Sequence, residues 1–429
     1  MIFGGASRHD VFSSDIVSLA ALPVLGMAAF RLRARFMPQW RLPLVILALT
    51  ALLPLLQLIP LPPALWTALP GRSPIADGMA LAGVTPGWAP LSLSPQTTWV
   101  CFLSLFPPVA MLLAGLTVDP EWRWRMVLAV LGAGIAGVLL GVLQIAGGDD
   151  SALRFYAVTN NTVAVGVFAS RNIFASFLIC GTVLAAAAVV IAAMRRPVSR
   201  PLLLFGLCAG ALAIAGVGMT GSRAGLILLA PAGLGALALA WRGGLIQGRG
   251  GRALVGLAIA FVAAILLIQA TFGQAIDRLQ AGFAGESRLI AAGPSLKATE
   301  AFLPVGSGFG TFVPVFKMFE PAEIVINTYM NHAHNDWIEL LMEGGIPAGL
   351  LIAAFLFWFG RRSLQLWRSD DPALTTARAA SLCILLMLIH SFGDYPLRTP
   401  AMMTLFALCC AMMLAYGSRA PQQIPTPPA

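Results

Sequence analysis

Residues 331–345 read NHAHNDWIELLMEGG, a run that gathers two of the four histidines, two asparagines and three carboxylates. It does so in a chain that is 58% hydrophobic and only 10% charged. Imidazole is the side chain whose unperturbed pKa lies nearest neutrality, so His334 is a candidate general base for a hydroxyl proton. The competing role is structural: a hydrogen-bonded histidine that fixes a loop to a helix. The company of Asn331, His332, Asn335 and Asp336, in so apolar a chain, tilts the choice toward chemistry. Asp336 and Glu339 have the spacing of a capping box, which predicts a helix starting near Asp336 with Asp336 as its cap. Glu343 lies one turn beyond Glu339 on the same helix face. A carboxylate at that depth in an apolar run needs an interior partner, and Gly344, Gly345 and Pro347 permit a kink beside it. His332, His334 and Asp336 alternate and could share one side of an extended segment as metal ligands. Since His9 alone would join them from another outer loop, no metal site is expected.

The second kind of chemistry is anion binding. In MTGSRAGLILL only residues 220–223 separate two apolar runs, and Arg223 falls at a predicted helix N-terminus. The helix dipole disfavours a cation there, and a bound anion would reverse that cost by meeting free N–H groups and a guanidinium together. A snorkelling arginine at the membrane surface is the alternative. Arg288, with Glu286, Ser287 and Lys297, gains weight only as a second cation on the same face. VFASRNIFASFL puts Arg171 and Asn172 at a helix start, and HSFGDYPLRTP offers His390, Asp394 and Arg398. For these two segments, anchoring and function are evenly balanced. The GSGFG run at 306–310 lacks the strand and helix context of a dinucleotide site and is expected to form turns.

These groups have to be held by membrane helices. The charged fraction is far below that of a soluble domain, and apolar runs of spanning length recur along the 429 residues. Eleven spans are predicted, at 16–30, 42–61, 99–118, 126–146, 172–194, 202–219, 224–241, 253–272, 337–359, 379–392 and 400–416. Most of the 27 Lys and Arg fall in one alternating set of short loops, which are cytoplasmic by the positive-inside rule. The stretches 62–98, 147–171 and 273–336 then lie on the outer face. The +9 charge is explained in this way without nucleic acid. The whole chain, 1–429, is expected to form one all-α membrane domain with a large outer loop at 273–336 and a Pro-rich disordered tail at 418–429. All six cysteines sit in apolar runs and behave as small hydrophobes. No basic region followed by a small-residue cleavage site opens the chain, so no removable signal peptide is expected. Cations and a candidate base gather at the outer membrane surface, whereas a carrier would place its binding groups near the midplane. That favours an enzyme acting on a lipid-linked anion over a transporter or flippase, which has no need of a base beside the headgroup.

HAHNDWIELLMEGGIPAGLL resembles the histidine signature of the bacterial O-antigen ligase and polysaccharide polymerase superfamily. The resemblance extends, in order, through GVFASRNIFASFL, TGSRAGLILL, the Arg288–Phe312 stretch ending PVGSGFGTF, and HSFGDYPLRTP, or roughly residues 160–400. It implies a bundle of about 11–12 helices in the bacterial inner membrane with its active site on the periplasmic side. The implied activity is that of an inverting, metal-independent glycosyltransferase without a cofactor, whose donor is a glycan on undecaprenyl diphosphate. The acceptor would be a lipid A core saccharide (ligase), a growing lipid-linked chain (polymerase) or a protein side chain. By the same resemblance His334 acts on the acceptor hydroxyl, and Arg223 and Arg288, with Arg171, hold the donor diphosphate. His332, Asn335, Asp336, Glu339, Glu343, Asp394 and Arg398 would support them.

Overall fold

The computed structural model describes residues 4–7, 12–246, 286–325 and 329–415. Fifteen α-helices carry these segments: α1 (Phe12–Arg35), α2 (Arg41–Gln57), α3 (Pro63–Trp66), α4 (Ser73–Leu81), α5 (Pro95–Leu103), α6 (Phe106–Thr117), α7 (Pro120–Ala146), α8 (Arg171–Met194), α9 (Arg200–Met219), α10 (Arg223–Arg242), α11 (Glu286–Phe302), α12 (Phe312–Phe319), α13 (Asp336–Arg368), α14 (Thr375–His390) and α15 (Pro400–Ala415). The β-structure among the described residues is a two-stranded antiparallel pairing of Pro60–Leu61 with Ala89–Pro90.

The protein is an all-α membrane bundle, with nine helical segments among the described residues long and apolar enough to cross a bilayer. Eight are α1, α2, α7, α8, α9, α10, α13 and α14, with small differences at the ends. The ninth, Pro95–Thr117, arrives in two pieces, α5 and α6, because Pro107 and Pro108 withhold the N–H groups that would continue α5. The helix predicted at 400–416 forms as α15, a shorter helix of 16 residues buried against α6 and α14. The spans predicted at 253–272 and the tail at 418–429 lie outside the described residues. The described part of the 273–336 stretch is largely helical, as α11 and α12.

Helix α8 is the axis of the bundle, buried along nearly its whole length and packed by α7, α9, α10 and α14. Its run of Ala, Gly, Ser and Cys lets neighbouring backbones approach closely, which is how apolar helices associate where lipid is as apolar as they are. α6 packs between α1 and α15.

Loop contacts tie neighbouring helices together at their ends. At one end Arg35 meets Asp119 at 3.1 Å, and Arg242 reaches Asp370 and the Trp367 carbonyl. Arg378 donates to Leu366 O at 3.0 Å and to Ser369 O, so cations satisfy the last carbonyls of α13. At the other end, Gln144 of α7 donates to Leu153 O and Gly166 O and accepts from the Val165 and Gly166 N–H groups, which ties down the 147–171 loop. Leu93 N donates to Ser307 O at 2.9 Å. Arg72 donates to Leu91 O and lies 5.1 Å from the Phe302 ring centroid, its pKa pulled down to about 10 by burial. These bonds lock the 62–98 stretch, made of α3, α4 and the strand pair, onto the Pro304–Gly310 turn.

Candidate active site

Helix α13 is broken. Gly345 leaves the helical region with φ 62° and ψ −155°, which splits off a short half-helix, Asp336–Gly344, from the long remainder. The GGIP sequence anticipates the break; what fills it is the GSGFG run. Ser307 N donates to Met342 O at 3.0 Å, Gly308 N to Glu343 O at 2.9 Å, and Ile346 N to Pro304 O at 2.8 Å. Gln57 of α2 adds a bond to Glu343 O at 2.9 Å and accepts from Phe309 N. The carbonyls of Met342 and Glu343 thus gain donors from outside the helix, as a membrane interior demands. Two backbones meet directly here: a Cβ on Gly306 would stand 2.4 Å from Glu343 O, and one on Gly345 2.3 Å from Pro304 O. Both residues also have positive φ, so the turns expected of GSGFG are turns moulded to a helix break.

The half-helix carries the carboxylates inward onto one cation. Arg398 Nε meets Asp336 Oδ1 at 3.2 Å, and its Nη1 meets Glu343 Oε2 at 3.0 Å and Glu339 Oε1 at 3.4 Å. All three carboxylates are buried. Burial alone would lower the Arg398 pKa, but the charges of Glu339, Glu343 and Asp336 outweigh it and raise it well above its usual value. Glu343 also accepts from Gly310 N at 2.9 Å and Phe312 N at 3.3 Å. It therefore has the interior partner that its depth required.

The cap differs from the expected one. Asn335 Oδ1 accepts from Trp337 N at 3.0 Å and Ile338 N at 3.2 Å, so Asn335 is the N-cap and Asp336 the first helical residue. Asp336 is drawn away from capping by Arg398 and by Ser391 Oγ, which donates to its Oδ2 at 2.9 Å. Glu339 does not close a capping box either. It accepts from His332 Nδ1 and Ala333 N, both at 2.8 Å, and so fastens the segment that leads into the helix.

His334 lies between these anchors and is the one non-glycine among the described residues with positive φ, 52°. Ala333 is held by Glu339 on one side. Asn335 is held on the other by its cap bonds and by its Nδ2, which donates to Phe392 O at 3.1 Å. Backbone strain of this kind persists only where the surroundings over-determine it. His334 Nδ1 lies 3.0 Å from His332 O. A carbonyl can only accept, so Nδ1 carries a proton, and in the neutral imidazole the lone pair falls on Nε2. The imidazole stands edge-on to Tyr395, centroids 5.0 Å apart, and the His332 ring lies 4.4 Å from the same tyrosine. The alternating His332, His334 and Asp336 do not converge on a point, since each is committed to a different partner. No group of three His, Cys, Asp or Glu among the described residues is placed to hold a metal ion.

From Tyr395 a line of contacts leads to the arginines. Tyr395 N donates to Asp394 Oδ1 at 2.9 Å, and Asp394 Oδ2 accepts from Asn172 Nδ2 at 2.6 Å. The next residue back, Arg171, opens α8, and its Nη1 would lie 3.8 Å from a Cβ on Gly221, two residues before Arg223. Ser222 Oγ caps α10 by accepting from Gly225 N at 3.1 Å, and Arg223 follows it, exposed at the helix start. The sequence-predicted residues His334, Asp394, Asn172, Arg171 and Arg223 thus border one region. His390 instead meets Ser176 inside the bundle. Arg288 lies on the first turn of α11, and its side chain falls outside the described residues. Arg398 is committed to the carboxylates and not to this face.

Two residues escaped the sequence reading. Tyr395 organises both histidine rings, and the only hint was an aromatic next to Asp394. Arg154 donates from Nη1 to Asn160 O at 2.8 Å and Val163 O at 3.0 Å, while its buried Nε and Nη2 have no partner among the described residues. Val163 borders Gly221, so Arg154 approaches the same turn as Arg171 and Arg223. Its role depends on a loop fold that residue type does not reveal.

Fold and site together define a multi-pass helical membrane protein with a strained histidine and several arginines at one end of its bundle. Residues 208–353 match the O-antigen ligase family model. The match takes in Arg223, Arg288 and His334, and it ends inside α13. No curated protein matches the chain.

Proposed function

We propose that the protein is an inverting, metal-independent glycosyltransferase that moves a glycan from undecaprenyl diphosphate to a saccharide acceptor, of the O-antigen ligase type, at the periplasmic face of the bacterial inner membrane. The observation that carries this reading is the geometry of His334: at positive φ, with its neighbours anchored on both sides and its Nδ1 bonded to the His332 carbonyl, at the end of a contact line leading to Arg171 and Arg223.

In this mechanism the acceptor hydroxyl gives its proton to His334 Nε2 as its oxygen attacks the anomeric carbon of the donor sugar. The new C–O bond forms on the face opposite the diphosphate, and the bond from that carbon to the diphosphate oxygen breaks. Undecaprenyl diphosphate leaves with the electron pair, and the sugar is inverted. Arg223 and Arg171, with Arg288, neutralise the charge growing on the departing diphosphate, work that magnesium does in other transferases. The acceptor assigned is a lipid A core.

The test is reconstitution of the purified protein with an undecaprenyl-diphosphate oligosaccharide and candidate acceptors, following released undecaprenyl diphosphate and product length. One defined adduct on a lipid A core supports the ligase assignment, and a ladder of repeats points to a polymerase. His334→Ala is expected to cost about 10²–10⁴-fold in rate, the usual contribution of a general base. Full activity in that variant sinks the base assignment, and loss of activity with EDTA sinks the metal-independent one.

A further inference from the structure

The connection between α2 and α5 presents apolar side chains outward. Residues 58–94 hold Arg72 and Asp77 as their ionisable side chains, and Arg72 is buried against the Phe302 ring. Leu65 is 50% exposed, Leu81 91%, Val84 50% and Trp88 70%. The stretch is ordered, because Pro60–Leu61 pairs with Ala89–Pro90 and Trp66 Nε1 donates to Gly87 O at 2.8 Å. Exposed apolar surface of this kind marks an interaction site. Its level follows from the helices that carry it. α2 begins close after Arg31, Arg33 and Arg35 and runs for 17 residues, about 25 Å, which is most of the thickness of a hydrocarbon core. Gln57 at its end therefore stands at the far boundary of the bilayer, and Ser92 N returns the chain to it by donating to Gln57 O at 2.9 Å. What meets the apolar side chains follows from continuity. Val45, Leu49, Leu52 and Leu56 are exposed at heptad spacing, one face of α2, and in a spanning helix that face meets lipid. Ile59 carries the stripe past the helix end, and Leu65 follows it.

We propose that residues 58–94 form a membrane-surface anchor, with Leu65, Leu81, Val84 and Trp88 inserted between the phospholipid headgroups of the adjoining leaflet. Tryptophan is enriched at that depth, and Trp99, exposed near the start of α5, stands close to the same boundary. Both ends of the stretch are held at the bilayer surface by α2 and α5, so lipid is the medium its apolar side chains reach without any further partner. The anchor also touches the candidate site. Leu93 N donates to Ser307 O at 2.9 Å, and Arg72 Nη2 lies 3.5 Å from Gly306 O, so the stretch grips the turn that fills the break in α13. It thereby fixes the height of the half-helix, and of His334 just before it, relative to the leaflet. The anchor stands whether or not the transferase reading does.

The experiment is spin labelling of the purified full chain in vesicles of phosphatidylethanolamine and phosphatidylglycerol, with oxygen and a water-soluble nickel chelate as collision partners. Leu81→Cys, Val84→Cys and Trp88→Cys are made one at a time in a Cys208→Ala chain, because Cys208 is the exposed native thiol. Leu52→Cys on the exposed face of α2 serves as the lipid standard, and Glu323→Cys, on an exposed segment, as the water standard. Labels at the three sites are expected to meet oxygen in preference to the chelate, as the Leu52 label does, and any of the three variants that folds suffices. Labels that meet the chelate as freely as the Glu323 label overturn the proposal, by leaving the patch in water for a partner from solution. Labels shielded from both collision partners and broadened by a second nearby label overturn it too, by assigning the patch to a second copy of the chain.

Discussion

Replacing His334 by glycine and by alanine gives opposite stability orders depending on whether its backbone is strained. Both variants lose the Nδ1 bond to His332 O and the contact with Tyr395, so those losses cancel between them. What remains is the Cβ. At φ 52° a Cβ crowds the following carbonyl at a cost of about 1–2 kcal/mol. Glycine avoids that cost but loses about 0.5–1 kcal/mol through the larger freedom of its unfolded chain. The difference leaves His334→Gly more stable than His334→Ala by about 0.5–1 kcal/mol, the reverse of the order at an ordinary position. In a chain of this length the shift in midpoint is small, about 2 °C or less, so it is best read by thermal unfolding of both proteins side by side in one detergent. Both variants are expected to lose about 10²–10⁴-fold in transfer rate. A more stable alanine variant would mean that His334 is not held in a strained conformation, and the inference from strain to function would fall with it.

Arg398→Ala strips three buried carboxylates of their shared cation and is expected to cost about 3–5 kcal/mol, seen as a lower unfolding midpoint and poor recovery from membranes. Asn335→Ala, by contrast, removes a cap worth about 1 kcal/mol and should leave the protein folded, whereas a capping role for Asp336 would leave Asn335→Ala silent. Gly306→Ala forces a Cβ to within 2.4 Å of Glu343 O at a positive φ and should cost at least about 2 kcal/mol, measured by the same unfolding assay. Arg154→Ala is expected to raise the KM for the lipid-linked donor about ten- to a hundredfold, the worth of a charge-assisted hydrogen bond of about 1.5–3 kcal/mol, and to lower the unfolding midpoint through the loss of its bonds to Asn160 O and Val163 O. An unchanged KM would remove Arg154 from the donor face.

Much of this arrangement follows from residue type and spacing, and the exceptions share one cause. The break after Gly344 is local chemistry: two glycines and a proline within four residues cannot continue a helix, and the chain says so. The depth of Glu343 likewise announces a buried partner. The partner's identity is another matter, because Arg398 lies 55 residues away and nothing in the sequence around Glu343 points to it. The choice of Asn335 over Asp336 as cap was settled in the same way, by Arg398 and Ser391 pulling Asp336 aside. Capping propensity ranks Asp and Asn together, so local sequence has no means to separate them. Arg154 was invisible because its significance lies in unpaired N–H groups, which exist only once the 147–171 loop is folded around Gln144.

The cluster around Arg398 also decides which cations a substrate can meet. A guanidinium has five N–H donors, and Arg398 spends its contacts on three carboxylates that hold its charge in place. Displacing one of them with a phosphate would leave a buried carboxylate unpaired, a cost of several kcal/mol, so Arg398 acts as scaffold. Arg223, at the α10 start, is exposed. The end of the bundle is therefore divided. One half is a rigid block, made of the half-helix, the GSGFG turn and the Pro396–Thr399 segment, and it fixes His334. The other half is the face of Arg171 and Arg223 that the proposed function assigns to the anion. A carrier must let its binding groups rearrange across the membrane, whereas this histidine is tied to the block at the residues on both its sides. Under the proposed function, a locked His334 beside the helix-start arginines is the arrangement that transfer at a fixed headgroup requires.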